Sequence, residues 1–133
     1  MAQILIADDD ALIGEVIFHR LQDKGHNVVV VDDGGRVVEQ TLQTKPEIII
    51  LDNLMPGLTG TEILSELQRN AFTATIPVIM LTAQTGRNQM IEAYRAGASD
   101  YMTKPFDPEE LIDRVAGVIG PSVGNSDLEQ PAL

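Results

Sequence analysis

Four short runs of Ile, Val and Leu limit what this chain can fold into: Gln3–Ala7, Asn27–Val31, Glu47–Leu51 and Ile76–Leu81. None of them alternates with polar residues. A strand with one wet face alternates, whereas a strand buried on both faces does not, and strands of the second kind belong to parallel sheets. Segments with helical spacing lie between the runs. Ala11–Lys24 places Ile13, Ile17 and Leu21 four apart and stops at Gly25. Gly35–Thr44 carries Val38 and Leu42, Thr59–Asn70 carries Ile63, Leu64 and Leu67, and Arg87–Ala96 ends at Gly97. Asp107–Ile119 opens Asp-Pro-Glu-Glu, a cap followed by proline at the first helical position. Asp100–Met102 is weak as a strand alone and is assigned by its place in the rhythm. The order is strand–helix repeated five times. Right-handed crossovers then put helices on both faces of one parallel sheet.

The length of 133 residues suits one domain with a single core, and 44% hydrophobic residues can fill it. From about Gly120 the pattern fades, so residues 1–120 are expected to form the domain and 121–133 a flexible tail or truncated linker. The absence of cysteine excludes disulfides and thiolate metal sites. No apolar run approaches the ~20 residues of a membrane-spanning helix, and no secretory signal is visible. A cytoplasmic protein without membrane contact is expected. The net charge of −11 argues against direct nucleic-acid binding, because phosphate contacts need clustered Lys and Arg.

Ligands of such sheets bind beyond the carboxyl ends of the strands. There the sequence places Asp8, Asp9 and Asp10 after the first run, Asp52 after the third, Thr82 and Ala83 after the fourth, and Thr103, Lys104 and Pro105 after the fifth. Crowded carboxylates repel each other, and a hard cation such as Mg²⁺ relieves that repulsion. Lys adds positive charge and Thr a hydroxyl donor, so the set suits phosphoryl transfer to a carboxylate. Taken singly, an Asp at a strand end is a helix cap or a solvated turn, and Asp32 and Asp33 are read that way. The joint arrangement carries the weight.

With these pieces in order, the chain resembles the receiver domain of two-component response regulators. The matching stretches are Ile4-Leu5-Ile6-Ala7-Asp8-Asp9-Asp10, Ile50-Leu51-Asp52-Asn53-Leu54-Met55-Pro56-Gly57, Ile79-Met80-Leu81-Thr82-Ala83 and Ala96 through Phe106. The resemblance implies a flavodoxin-like (βα)5 doubly wound sandwich with strand order 2-1-3-4-5. It implies that Asp52 accepts a phosphoryl group from a histidine kinase or histidine phosphotransfer protein. Asp9 would bind Mg²⁺ directly, Asp8 directly or through water, and the backbone carbonyl of Leu54 would add a ligand. Thr82 would bond a phosphoryl oxygen, and Lys104 would pair with Asp52 or the phosphoryl group. The Lys104–Pro105 bond is expected to be cis. Tyr101 would turn inward as Thr82 moves, reshaping the face of helix 4, strand 5 and helix 5 for a downstream target, an output domain or a phosphorylation-dependent homodimer. Such a domain is a switch, not a turnover enzyme.

Leu54 and Gln84 occupy positions that tune dephosphorylation in the family. An aliphatic Leu54 cannot orient an attacking water, so a phosphorylated state that is not especially short-lived is expected. The apolar residues of helix 1 spread beyond one stripe, which leaves apolar surface near Asp52 either for a phosphodonor or beneath a neighbouring element. Three other readings stay open. Asp8-x-Asp10 superficially resembles the nucleophile motif of haloacid dehalogenase-like phosphatases, although Leu12 stands where Thr or Val is expected. A flavodoxin-like electron carrier would need a hydroxyl-rich phosphate loop where three aspartates stand. A receiver-like module that is never phosphorylated is the last.

Overall fold

A computed structural model of the chain describes residues 2–53, 55–83 and 86–119. The expected tail at 121–133, its boundary at residue 120, and positions 54 and 84 lie outside the described residues. Five strands and five α-helices alternate: β1 (Gln3–Ala7), α1 (Ala11–Asp23), β2 (Asn27–Val31), α2 (Val37–Thr44), β3 (Ile48–Asp52), α3 (Gly60–Arg69), β4 (Val78–Thr82), α4 (Arg87–Ala96), β5 (Asp100–Thr103) and α5 (Pro108–Ile119). All strand pairs are parallel and the order is β2-β1-β3-β4-β5, the doubly wound flavodoxin-like sheet expected.

The missing alternation in the sequence has its cause here. Every residue of β3 and β4 is buried, because both faces are covered. Leu5, Ile49, Leu51 and Met80 point to one face and pack with Val37, Leu64, Leu67 and Ala93 from α2, α3 and α4. Ile4, Ile6, Ile50 and Ile79 point to the other and pack with Ile17 and Leu21 of α1 and Leu111 and Val115 of α5. Fully burying each such side chain stabilises the fold by about 1.5–3 kcal/mol.

Several boundaries differ from the sequence reading. β3 and β4 each run one residue further, so Asp52 and Thr82 are the last rungs of their strands. β4 begins at Val78, after Pro77, which has no N–H to give to a ladder. The segment expected as one helix from Gly35 opens instead with a 3₁₀ turn, Gly34–Arg36, and becomes α-helical only at Val37. Two adjacent glycines are poor helix formers, and the Asp33 side chain caps the turn by accepting from the Gly35 amide. Thr59 and Glu62 form a reciprocal capping box that fixes the start of α3.

Candidate functional site

The parallel register brings five strand ends to one edge. Ala7 lies opposite both Val31 and Leu51, Asp52 opposite Leu81, and Thr82 opposite Thr103. The chain holds this alignment just past the strands. The Asp8 amide donates to the Val31 carbonyl at 3.0 Å, and the Lys104 amide donates to the Thr82 carbonyl at 2.8 Å. Asp8, Asp52, Thr82 and Lys104 therefore occupy neighbouring rungs, although they are far apart in sequence.

Lys104 is the hub. Its Nζ donates to Asp8 Oδ2 at 3.1 Å and to Asp52 Oδ2 at 3.2 Å. Both carboxylates are buried, Asp8 to 2% and Asp52 to 5% exposure. Burial pulls the Lys104 ammonium downward in pKa, but the charges of Asp8 and Asp52 outweigh it and hold the group above the ordinary lysine value. Asp8 is fixed from its other side, where Oδ1 accepts from the Asp10 amide at 2.9 Å. Asp10 itself turns to helix α1, accepting from the amides of Leu12 and Ile13. It is a cap, which separates it from the pair before it.

Asp9 is exposed at the mouth. Asp8, Asp9 and Asp52 each offer an oxygen, and these oxygens all lie within 4.8 Å of one another. Three carboxylates against one ammonium leave two negative charges in a partly buried space. Hard oxygen donors with that charge deficit fit a divalent cation of the Mg²⁺ type. Leu54, the expected carbonyl ligand, lies outside the described residues, as does Gln84.

Thr82 is fully buried, and the Lys104–Pro105 peptide bond is cis. Tyr101 already has its side chain inside, in the cluster with Met80 and Ala93. Burial pushes its phenol up in pKa. The side chain lines a cavity of about 250 Å³ together with Asn53, Thr59, Met80 and Gln89.

Two features escaped the sequence reading. Arg114 of α5 donates to Asp100 Oδ1 at 2.8 Å, to Glu110 Oε2 at 2.9 Å and to the Tyr101 carbonyl at 3.4 Å. It ties α5 to the strand that carries Tyr101. Only the Glu110–Arg114 spacing of four was visible in sequence. Nearby, α4 leaves Met90, Ile91 and Tyr94 exposed. The apolar surface of α1 is also specific. Leu12 is 73% exposed, and with Val16 it lines a groove of about 220 Å³ whose other wall is Lys104, Phe106 and Pro108. Arg20 of α1 pairs with Glu109 of α5.

The family described as response regulator receiver domain matches residues 4–116. The phosphate regulon transcriptional regulatory protein PhoB of Pseudomonas aeruginosa is 38% identical over 96% of this chain and 56% of its own length. Protein PilH of the same organism is 36% identical over 90% of this chain and 98% of its own length. The DNA-binding dual master transcriptional regulator RpaA of Synechocystis is 38% identical over 90% of the chain and 49% of its own length. The chain spans about half the length of PhoB and RpaA. The names of those two proteins denote transcriptional regulation and DNA binding, so the expectation of no direct nucleic-acid contact draws no support from them. Among solved structures, a putative response regulator from Chloroflexus aurantiacus superposes with a TM-score of 0.83 at 34% identity, covering 89% of this chain and 97% of that one. The BeF3-activated N-terminal receiver domain of Klebsiella pneumoniae RstA gives 0.82 at 28%, covering 89% and 98%.

Proposed function

This chain belongs to the response regulator receiver domain family, and on that premise we propose that Asp52 is the phosphoryl acceptor of a switch charged by a histidine kinase or a histidine phosphotransfer protein. Receiver domains are phosphorylation-coupled switches of two-component signalling rather than turnover enzymes. One observation chiefly supports the assignment to Asp52: the Lys104 ammonium lies between two buried carboxylates at 3.1 and 3.2 Å, with a third carboxylate at the mouth.

The chemistry follows from those groups. An Asp52 carboxylate oxygen attacks the phosphorus of a phosphohistidine. The P–N bond breaks, its electron pair stays on the imidazole nitrogen, and a P–O bond forms a mixed anhydride. Lys104 compensates charge on the acceptor and then on the phosphoryl group, and the Thr82 hydroxyl donates to a phosphoryl oxygen. Asp8, Asp9, Asp52 and the Leu54 carbonyl would hold Mg²⁺. When bound, the cation supplies positive charge among crowded oxygens. Asp8 and Asp9 thus act as holders and Asp52 as nucleophile.

The α1 groove suits the phosphodonor, because an apolar wall there leads directly to Lys104. The output surface is the face of α4, β5 and α5, where Arg114 joins the Tyr101 backbone to α5. Its partner is a downstream protein, an attached output domain or a second copy. If the natural protein has the length of PhoB or RpaA, DNA binding is a proposed output of the portion beyond this domain. A cytoplasmic location fits the reading, and among the described residues no helix is long and apolar enough to cross a membrane.

Incubation with acetyl phosphate and Mg²⁺ followed by peptide mass mapping tests the assignment. The expected result is one phosphoryl group on the Asp52 peptide and none in Asp52→Asn. A label on Asp8 would transfer the reading to a phosphatase-like nucleophile. No label on the wild type would leave a binding module that is never phosphorylated.

A further inference from the structure

The loop between β3 and α3 leaves directly from the acceptor, and a second loop lies hard against it. The Gly34 amide of the β2–α2 loop donates to the Pro56 carbonyl at 2.9 Å. A Cβ on Gly34 would stand 2.7 Å from the Leu58 carbonyl oxygen, 2.9 Å from the Leu58 nitrogen and 3.1 Å from the Pro56 oxygen. All three are backbone atoms, which cannot rotate out of the way as a side chain does. The contact is glycine-lined from the other side too. Gly57 has φ +97°, and a Cβ there would meet Asp33 Oδ1 and the Gly35 nitrogen at 2.9 Å each. The far end of the same loop is pinned to the residue after the acceptor, since the Gly60 amide donates to the Asn53 carbonyl at 2.8 Å. The segment from Met55 to Gly60 is therefore held between the β2–α2 loop and the end of β3.

We propose that Gly34 is a positioning residue for the acceptor pocket: its missing Cβ lets the β2–α2 loop press on the Pro56–Leu58 backbone and so keeps Asp52 aimed at Asp8 and Asp9. Gly34 touches neither phosphoryl group nor metal, and it acts through the backbone that continues from Asp52. The inference rests on the acceptor reading above. An alanine at 34 pushes the loop outward. The displacement reaches Asn53 and Asp52, and the oxygens that lie within 4.8 Å of each other spread apart. Gly35 is the internal control, because its Cβ would meet only the Asp33 carboxylate at an ordinary 3.4 Å.

The test is an NMR titration of the unphosphorylated protein with Mg²⁺, following the amides of Asp52 and Asn53. Gly34→Ala is expected to weaken Mg²⁺ binding about tenfold, the lower end for changes just outside a metal's ligands. Gly35→Ala and Ile48→Val, the latter a core change at the remote end of β3, are expected to stay within about twofold of wild type, well short of that loss. Gly57→Ala presses on the same contact from the other side and carries the test if Gly34→Ala does not fold. Wild-type affinity in Gly34→Ala, or an equal loss in Ile48→Val, overturns the proposal. Wild-type protein that binds no Mg²⁺ sinks the metal reading instead. In that case the metal-free spectra decide: Gly34→Ala shifts at Asp52 and Asn53 support the contact, and shifts confined to residues 32–37 overturn it.

Discussion

Two clusters in this molecule have the same composition, one cation between two carboxylates, and opposite surroundings. At the carboxyl edge of the sheet, the side chain of Lys104 is 16% exposed, and the side chains of its partners Asp8 and Asp52 are 1% and 7% exposed. On the α4–β5–α5 face, Arg114 is 36% exposed, with Asp100 at 23% and Glu110 at 52%. The exposed cluster resembles an ordinary surface network, in which each pair contributes at most about 1 kcal/mol. The buried one is costly to assemble, because desolvating such charges consumes much of their attraction. A cluster that an apolar replacement could match in stability, yet that brings an excess of negative charge, is better explained by what it does than by what it holds together.

The sharpest way to break this contrast is chemical. Asp52→Asn should lose all labelling by acetyl phosphate while keeping its fold, whereas Arg114→Met should still label at Asp52; peptide mass mapping reads both. Equal labelling of the Asp52 variant would erase the distinction between the clusters. Stability comes next. Lys104→Met leaves two buried carboxylates facing each other without a cation and should cost about 3 kcal/mol in urea unfolding without Mg²⁺. Added Mg²⁺ should return part of that loss.

Alkaline titration separates the clusters with a smaller effect. The Lys104 pKa is raised in the folded state, so its contribution is fully present below the ordinary value of 10.5 and is lost as pH rises through the higher folded value. Tyr94 and Tyr101 are also raised, chiefly by burial, and lose stability in the same range. The difference between wild-type and Lys104→Met urea midpoints from pH 8 to 11 removes that shared background and should shrink toward the alkaline end. The exposed cluster closes the series: Arg114→Met should cost less than about 1 kcal/mol. A larger loss would show that the Arg114 bond to the Tyr101 carbonyl matters to the fold itself. Independently of either cluster, Leu54→Asn should shorten the lifetime of phosphorylated protein, and an unchanged decay would remove Leu54 from the account of dephosphorylation.

What the sequence made legible was set by how local each cause is. β3 and β4 were readable because burial on both faces removes polar residues from Ile48–Leu51 and Val78–Leu81. β5 was readable only from its place in the rhythm, since Asp100-Tyr101-Met102 is too short and too mixed to show a period of its own, and the strand stands there at Asp100–Thr103. The glycine-led start before Val37 was misread because Asp33 capping and the Gly34–Pro56 contact decide it, and Pro56 belongs to another loop. The order of acids, Thr and Lys at strand ends indicated a shared edge. That Lys104 reaches both Asp8 and Asp52, and that Arg114 spans Asp100 and Glu110, depends on side-chain reach across elements. No local pattern encodes it.

The bond from Lys104 to Asp8 joins residues 96 apart, and the bond to Asp52 joins residues 52 apart. No hairpin or single strand–helix–strand unit contains the pocket. During synthesis the chain emerges amino end first. Asp8, Asp9 and Asp52 are then present long before Lys104, whose ammonium offsets part of their charge. Until β5 docks, the growing domain carries an acidic edge without its ammonium. The complete pocket of carboxylates and ammonium is thus among the last features the chain assembles, and a chain that stops short of β5 lacks it.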